Sequence, residues 1–181
     1  MSAAPRTSDG RAPADVEAWF SELGLEPLER AEREGLVSWD LLLDGVRRPA
    51  LRVTVILDPT LALIVWGHFA PPINDYFRRS YRTLLRWNDE LPFVKFSIGE
   101  DERPLLTQEV PVGLANADAL GLALARMVAV ADRCFDATVP WLKAGGWQIA
   151  GVGAHPQGRA LLARFAVELG ELAVAAGPDA P

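Results

Sequence analysis

The stretch at residues 74–142 constrains the fold of this chain more than any other part of the sequence. It contains an amphipathic helical pattern ending in Trp-Asn, two short apolar segments around an acidic turn at 99–104, and a long apolar helical pattern. Helices and strands with apolar faces must bury those faces against one another. The stretch therefore predicts an α+β domain, and it contains no recognisable catalytic motif.

Upstream of this stretch, apolar and polar residues alternate in two segments, 36–44 and 51–58. Such alternation indicates strands with one covered face, and their short, turn-rich connections favour antiparallel hairpins. We expect an α+β fold with a small antiparallel sheet of about five strands packed by helices. The expected order is helix, three strands, helix, two strands, helix, plus an extra C-terminal helix. Asp15 is the expected N-cap of the first helix, which Gly24 would end.

The third predicted strand, at 60–68, is apolar on both faces. Strands of this kind are usually buried on both sides. In a small sheet with helices on one side, the second face then needs a cover, which a partner or the C-terminal segment could supply. We therefore predict a partner-binding surface on the second face, formed by Ala62, Ile64 and Trp66.

The remaining segments frame a single domain. Residues 1–14 are small, polar and proline-containing, which is typical of a disordered tail, and residues 144–155 are glycine-rich, which is typical of a linker. Residues 156–176 carry leucines at helical spacing. We expect a tail at 1–14, a domain at 15–143, a linker at 144–155, an amphipathic helix at 156–176 and a tail at 177–181.

The composition excludes several classes of partner. A formal net charge of -6 and a pI of about 5.0 disfavour phosphate backbones and anionic lipids, so we expect neither nucleic acid nor a membrane as partner. The one cysteine, Cys134, cannot form an intramolecular disulfide, and its apolar neighbours predict a buried thiol. The N-terminus lacks the apolar core of a secretory signal, so a cytoplasmic location is expected.

A basic stripe is the strongest candidate for ligand binding. Arg78, Arg82 and Arg86 recur every four residues along a predicted helix. Such a run is most often only a solvated helix face. Its functional interpretation is the binding of a phosphate ligand or an acidic segment by the guanidinium groups.

Other polar residues give weaker candidates. His68 and His155 lie far apart and lack the spacing of metal ligands. The carboxylates at 100–102 occupy a hairpin tip, and Asp132 and Asp136 lie one turn apart on a helix. Acid–base catalysis needs carboxyl groups in a cleft, which nothing in the sequence indicates. We therefore expect no catalytic residue, no cofactor and no metal site.

Two motifs carry a resemblance to a known family. A helix end of the form Leu-Leu-Arg-x-Asn, in LLRWNDELPFVKFSI, leads into a short aromatic strand, and ARMVAVAD lies in the long apolar helix. With the order of the elements, they resemble the YbjN family of bacterial regulators. The resemblance implies the fold of type III secretion chaperones, which are acidic α+β proteins without cofactor that are often dimeric and bind extended clients.

Two functional hypotheses follow. The first is a non-enzymatic protein-binding module, chaperone-like or regulatory, that forms a homodimer and binds an unidentified protein client. The second is a regulatory domain that senses a small molecule or phosphate through the arginine stripe. An arginine-lined pocket would favour the second hypothesis, and an exposed apolar groove would favour the first.

Overall fold

A computed structural model describes residues 11–72, 78–146 and 154–174. The strands within these ranges are β1 (Glu29–Arg33), β2 (Leu36–Leu43), β3 (Leu51–Leu57), β4 (Ala62–His68), β5 (Lys95–Ile98) and β6 (Pro104–Pro111). The helices are α1 (Pro13–Leu23), α2 (Arg78–Glu90), α3 (Ala117–Arg133), α4 (Phe135–Ala144), α5 (Gln157–Arg164), α6 (Ala166–Leu169) and α7 (Glu171–Val174). A 3-10 turn spans Val112–Leu114 before α3.

All neighbouring strands are antiparallel, and the sheet order is β1-β2-β3-β4-β6-β5. The predicted α+β class, the antiparallel sheet and its packing by helices are confirmed. The sheet has six strands rather than about five, because β1 was not predicted. Its sequence, Glu-Arg-Ala-Glu-Arg, is exposed along its whole length and therefore shows no apolar alternation.

A tight turn pairs β1 with β2. Glu34 and Gly35 both have positive φ, 53° and 81°, which is the combination that a two-residue type I′ hairpin requires. The strand that follows this turn, β2, is buried at every second residue. The position of β1 at the sheet edge suits its charge, because charged side chains discourage pairing with a further strand.

The helices pack against one face of the sheet, and α3 lies at the centre of that layer. Val65 and Leu106 of the sheet and Met127 of the helix are fully buried in this core. The helix also contacts α1, α5, α6 and α7, so it is buried on more than one side. Gly121 permits this close packing, because a Cβ there would lie 2.7 Å from both Leu23 and Phe165.

Three predicted helix boundaries were wrong. The long helix is divided, since α3 ends at Arg133 and α4 begins at Phe135. The C-terminal helix consists of three short helices, and Gly170, with a φ of 49°, separates the last two. Asp15 is the third residue of α1 rather than its N-cap, and its carboxylate accepts from the Ala12 amide at 2.8 Å. The predicted start of the second helix, at 73–77, lies outside the described residues.

The C-terminal segment packs on its own chain. The amide of Asp44 donates to the His155 carbonyl at 2.8 Å, and the His155 amide donates to the Asp44 carboxylate at 2.9 Å. Leu161, Phe165 and Leu169 belong to the hydrophobic core beside α3. This segment therefore completes the helical layer and does not lie across the other face of the sheet. Most of the predicted linker, at 147–153, falls outside the described residues.

Candidate functional site: the open face of the sheet

The face of the sheet opposite α3 is the main candidate for binding. We call it the open face, because the helices with described sheet contacts pack against the other side. One row of paired residues crosses five strands, and a second row runs beside it. The first row is Asp40, Thr54, Trp66, Thr107 and Lys95, and the second is Ser38, Ile56, Ile64 and Glu109.

Apolar side chains form the middle of the open face. Trp66 lies at its centre with 38% of its surface exposed, and Ile64 and Ile56 are half-buried beside it. Ala62, at the end of β4, is 3% exposed. The predicted burial of this strand on both faces is thus right for Ala62 and wrong for Trp66. The structure places all three predicted partner-binding residues on this face, although it does not test whether a partner binds them.

A polar network flanks Trp66 on the open face. Thr54 donates its hydroxyl to the Asp40 carboxylate at 2.5 Å and lies 3.0 Å from Nε2 of His68. Arg52 forms an ion pair with the same carboxylate. Burial acts to raise the pKa of Asp40, but the hydrogen bonds from Thr54 and Arg52 outweigh it and hold that pKa below its usual value. Asp40 is therefore anionic at neutral pH.

His68 lies between this network and a second ion pair. Burial lowers the pKa of His68, and the positive charges of Arg52 and Arg103 lower it further, against the opposing effect of Asp40 and Asp101. Arg103 and Asp101 pair at 2.8 Å in the turn between β5 and β6. At neutral pH the imidazole is therefore uncharged and able to accept or donate a hydrogen bond.

A separate, fully buried polar cluster lies under the loop between β2 and β3. The carboxylate of Asp132 accepts from the amides of Val46, Arg47 and Arg48 at 2.7, 3.0 and 2.7 Å. Asp136, one turn later, is exposed and pairs with the Arg47 side chain. These two carboxylates thus have different environments, and Asp132 serves to anchor the loop.

Arg48 closes this polar cluster from the other side. Its guanidinium donates to the Phe69 carbonyl at 2.9 Å and lies about 6 Å above the rings of Phe69 and Phe135. Burial lowers the pKa of Arg48 to about 10, while the charge of Asp132 acts in the opposite direction. Arg48 thus remains a buried cation at neutral pH, and its neighbours are those of a structural residue.

The predicted arginine stripe lies on α2, away from the open face. Arg82 is exposed, and Arg86 pairs with Glu90 at 3.4 Å with 67% of its side chain exposed. Arg78 begins the helix, but its side chain lies outside the described part of the chain. Among the described residues that line two cavities at the open face, neither Arg82 nor Arg86 occurs. The stripe as a binding site stays a prediction.

Residues 12–138 match the family model of YbjN, described as "putative bacterial sensory transduction regulator". The chain belongs to the YbjN family. No curated protein matches the chain. The matched range of the YbjN model includes the whole sheet, α1, α2 and α3, and it ends within α4. The open face is therefore part of the YbjN domain, whereas α5, α6 and α7 follow the matched range.

Asn88 has a structural role in this YbjN domain that the sequence analysis did not predict. The side-chain amide of Asn88 donates to the Phe96 carbonyl at 3.0 Å, and its oxygen accepts from the Phe96 amide at 2.6 Å. Asn88 thereby occupies the free edge of β5 as a neighbouring strand would. The Trp-Asn helix end is conspicuous in the sequence, but its partner is reached only because Phe93 turns the chain with a φ of 68°.

The lone cysteine behaves as expected in this YbjN protein. Cys134 is 3% exposed, and burial is the main effect that raises the pKa of its thiol to about 12. The thiolate needed for nucleophilic chemistry is therefore scarce at neutral pH, so the predicted buried thiol is confirmed. No helix among the described residues is long and apolar enough to cross a membrane.

Proposed function

We propose that this YbjN protein is a non-enzymatic regulatory module that binds protein through its open face, and that its first partner is a second copy of itself. The observation that supports the proposal is the exposure of Trp66 at the centre of this face. Tryptophan is enriched among the residues that dominate binding energy at interfaces. An aromatic ring in the middle of a sheet face is suited to this role.

The size of the open face is close to what a dimer needs. Five strands that average about seven residues, spaced by about 4.8 Å and rising about 3.4 Å per residue, cover roughly 570 Å² in projection. Side-chain relief increases the accessible area, and a standard interface buries about 800 Å² per partner. The face is thus large enough for an interface of ordinary size.

The charges of the open face are arranged to match a second copy. Arg52 on β3 and Glu109 on β6 lie on opposite sides of Trp66, along one diagonal of the sheet. A two-fold axis in the interface plane, through Trp66 and perpendicular to that diagonal, places Arg52 of one protomer over Glu109 of the other. Two-fold interfaces are the commonest in homo-oligomers. The same operation stacks the two Trp66 rings.

The edges of the sheet are less suited to binding than its face. The β1 edge carries charged residues at four of its five positions, and charge discourages strand addition. At the other edge, Asn88 already satisfies the backbone of Phe96 in β5. A partner that adds a strand would have to displace this amide.

More specifically, we propose a chaperone-like role in which the protein binds an unidentified protein client. It follows from the resemblance to type III secretion chaperones and from the apolar residues Ile56, Ile64 and Trp66 on the open face. A client that carries its own apolar side chains would compete with self-association for this surface. We therefore expect client binding to convert the dimer into a heterocomplex.

Light scattering coupled to size-exclusion chromatography tests the proposal. We expect a dimer that dissociates on dilution, and Trp66→Asp should weaken self-association by at least about thirtyfold, the equivalent of about 2 kcal/mol for an interface hot spot. Val167→Asp is the matched control, because Val167 is 90% exposed on α6, outside the open face. It should leave the dimer intact.

Charge reversal tests the arrangement itself. Glu109→Arg should weaken the dimer, because it places two arginines against each other across the two-fold axis. Adding Arg52→Glu on the same chain should restore association, since each new arginine then faces a new glutamate. This interface would be excluded if the wild-type protein is monomeric at high concentration, or if the double variant associates no more tightly than Glu109→Arg alone.

A further inference from the structure

A cavity of about 420 Å³ lies where the open face meets the end of α4. We propose that it binds a small organic anion, a carboxylate or a phosphate monoester, whose charged group is held by Arg52 and Arg103. The cavity is lined by Arg52, His68, Ala70, Pro71, Pro72, Arg103, Gly145 and Gly146. This site goes beyond the proposed self-association and does not depend on it.

The two arginines reach the cavity from different parts of the sheet. Arg52 extends from β3, and Arg103 precedes β6, with β4 and its terminal His68 between them. The carbonyl of Pro104 accepts from the amides of Phe69 and Ala70 at 3.1 and 3.4 Å, which holds the start of β6 against the segment after β4. The backbone of Arg52 is therefore held within the sheet, and the backbone next to Arg103 is held at the start of β6.

Both guanidinium groups retain donors for a ligand. Each carries five N–H donors, and the ion pairs with Asp40 and Asp101 use only part of them. Arg52 and Arg103 also keep 54% and 51% of their side chains exposed. A carboxylate or phosphate has the planar or tetrahedral oxygen arrangement that such forks bind in pairs.

Much of the remaining lining of the cavity is apolar, which selects for an organic anion. Ala70, Pro71 and Pro72 form one side, and Gly145 closes against Pro71 so tightly that a Cβ at this glycine would overlap the proline ring. The cavity volume lies within the range of about 300–1,000 Å³ that is typical of small-molecule sites. The ligand is thus expected to join an anionic head to a compact apolar body.

His68 is placed to report on this ligand. The charged groups facing it are Arg52 from β3, Asp40 from β2, and Asp101 and Arg103 from the turn before β6. An anion bound between the arginines adds negative charge beside the imidazole and raises its pKa. By reciprocal linkage, the anion binds more tightly when His68 is protonated.

Proton NMR of the histidine rings provides the test on the intact chain. His68 and His155 are the only histidines, so each ring signal can be assigned with one substitution. Phenylphosphate, benzoate and inorganic phosphate are titrated at constant ionic strength. We expect the His68 pKa to rise saturably with phenylphosphate or benzoate, with weaker binding of inorganic phosphate, and no change at His155. The first two probes distinguish a phosphate site from a carboxylate site.

Two arginine variants locate the site. Arg103→Gln changes an exposed turn residue and should weaken binding at least tenfold, whereas Arg86→Gln, on the stripe of α2, should leave it unchanged. The proposal is overturned if His68 shows no saturable response, if His155 responds equally, or if Arg103→Gln binds like wild type. Loss of binding in Arg86→Gln alone would instead assign the anion to the arginine stripe. Because Arg52 also faces Glu109 in the proposed dimer, the titrations are made at a protein concentration where light scattering shows the monomer, so that failure of the dimer and failure of the anion site are distinguished.

Discussion

Replacement of Asp132 by asparagine is the sharpest test of how the loop between β2 and β3 is held. The wild-type carboxylate accepts three backbone N–H groups and faces the buried cation Arg48. An asparagine keeps one acceptor oxygen and brings an NH₂ group toward a backbone N–H. The substitution therefore loses at least one hydrogen bond and removes the Asp132 charge that opposes the charge of Arg48.

The cost can be worked out from these contacts. A hydrogen bond to a charged group contributes about 1.5–3 kcal/mol, and removing a buried charge that acts on a buried cation costs up to about 3–5 kcal/mol. The two effects share the same carboxylate and do not add in full. We expect Asp132→Asn to lower the free energy of unfolding by about 3–4 kcal/mol, which is a large part of the about 5–15 kcal/mol of an ordinary domain.

Urea denaturation followed by far-UV circular dichroism measures this change, and Asp136→Asn is its matched control. Asp136 lies one turn later, is 68% exposed and forms a surface ion pair with Arg47. Its loss should cost at most about 1 kcal/mol. Equal destabilisation by the two variants, or a loss below about 1 kcal/mol for Asp132→Asn, would refute the reasoning that this buried carboxylate anchors the loop.

Two further predictions concern the sheet. Asn88→Ala removes both hydrogen bonds to Phe96 and should lower the free energy of unfolding by about 1–3 kcal/mol. It should also make the β5 amides exchange faster in hydrogen-exchange measurements. Unchanged exchange would contradict the role of Asn88 at the edge of β5. Because the pKa of His68 is lowered in the folded state, the unfolded state binds more protons between the two pKa values, so stability should fall as pH drops below about 7. Urea titrations should show a weaker pH dependence in His68→Gln than in His155→Gln, and equal slopes would argue against this linkage.

Local periodicity was enough to predict much of the fold. Alternation at β2 and β3 and the apolar stripe of α3 each describe one face of one element, which neighbouring residues alone determine. Asn116 is the N-cap of α3, where its side chain accepts from the Ala119 amide at 2.9 Å. Its cap is formed within one turn, so it does not depend on tertiary contacts.

Features that depend on distant partners were missed or left ambiguous. Asp132 and Asp136 look alike in sequence, and both contact the loop between β2 and β3. Only Asp132 is buried and accepts backbone amides of that loop, which lie 84 to 86 residues earlier in the chain, whereas Asp136 is exposed and pairs with the Arg47 side chain. The strand β1 has no apolar residue beyond alanine to reveal it, and it forms because the turn at Glu34 and Gly35 returns the chain onto β2. For Asp132 the deciding contact is distant in the chain, and for β1 it is a turn, so neither gives a periodic pattern of apolar residues.

The sequence by itself determined the α+β class, most strand and helix positions and the apolar character of β4. Only the tertiary structure decided which face of β4 stays open, that the C-terminal helices join the layer around α3, and that Arg52 and Arg103 line one cavity. The physical reason is that hydrogen bonding between neighbouring residues and side-chain periodicity are local, whereas strand order and helix packing join distant residues. The candidate sites of this protein are formed by contacts between residues that are distant in the chain.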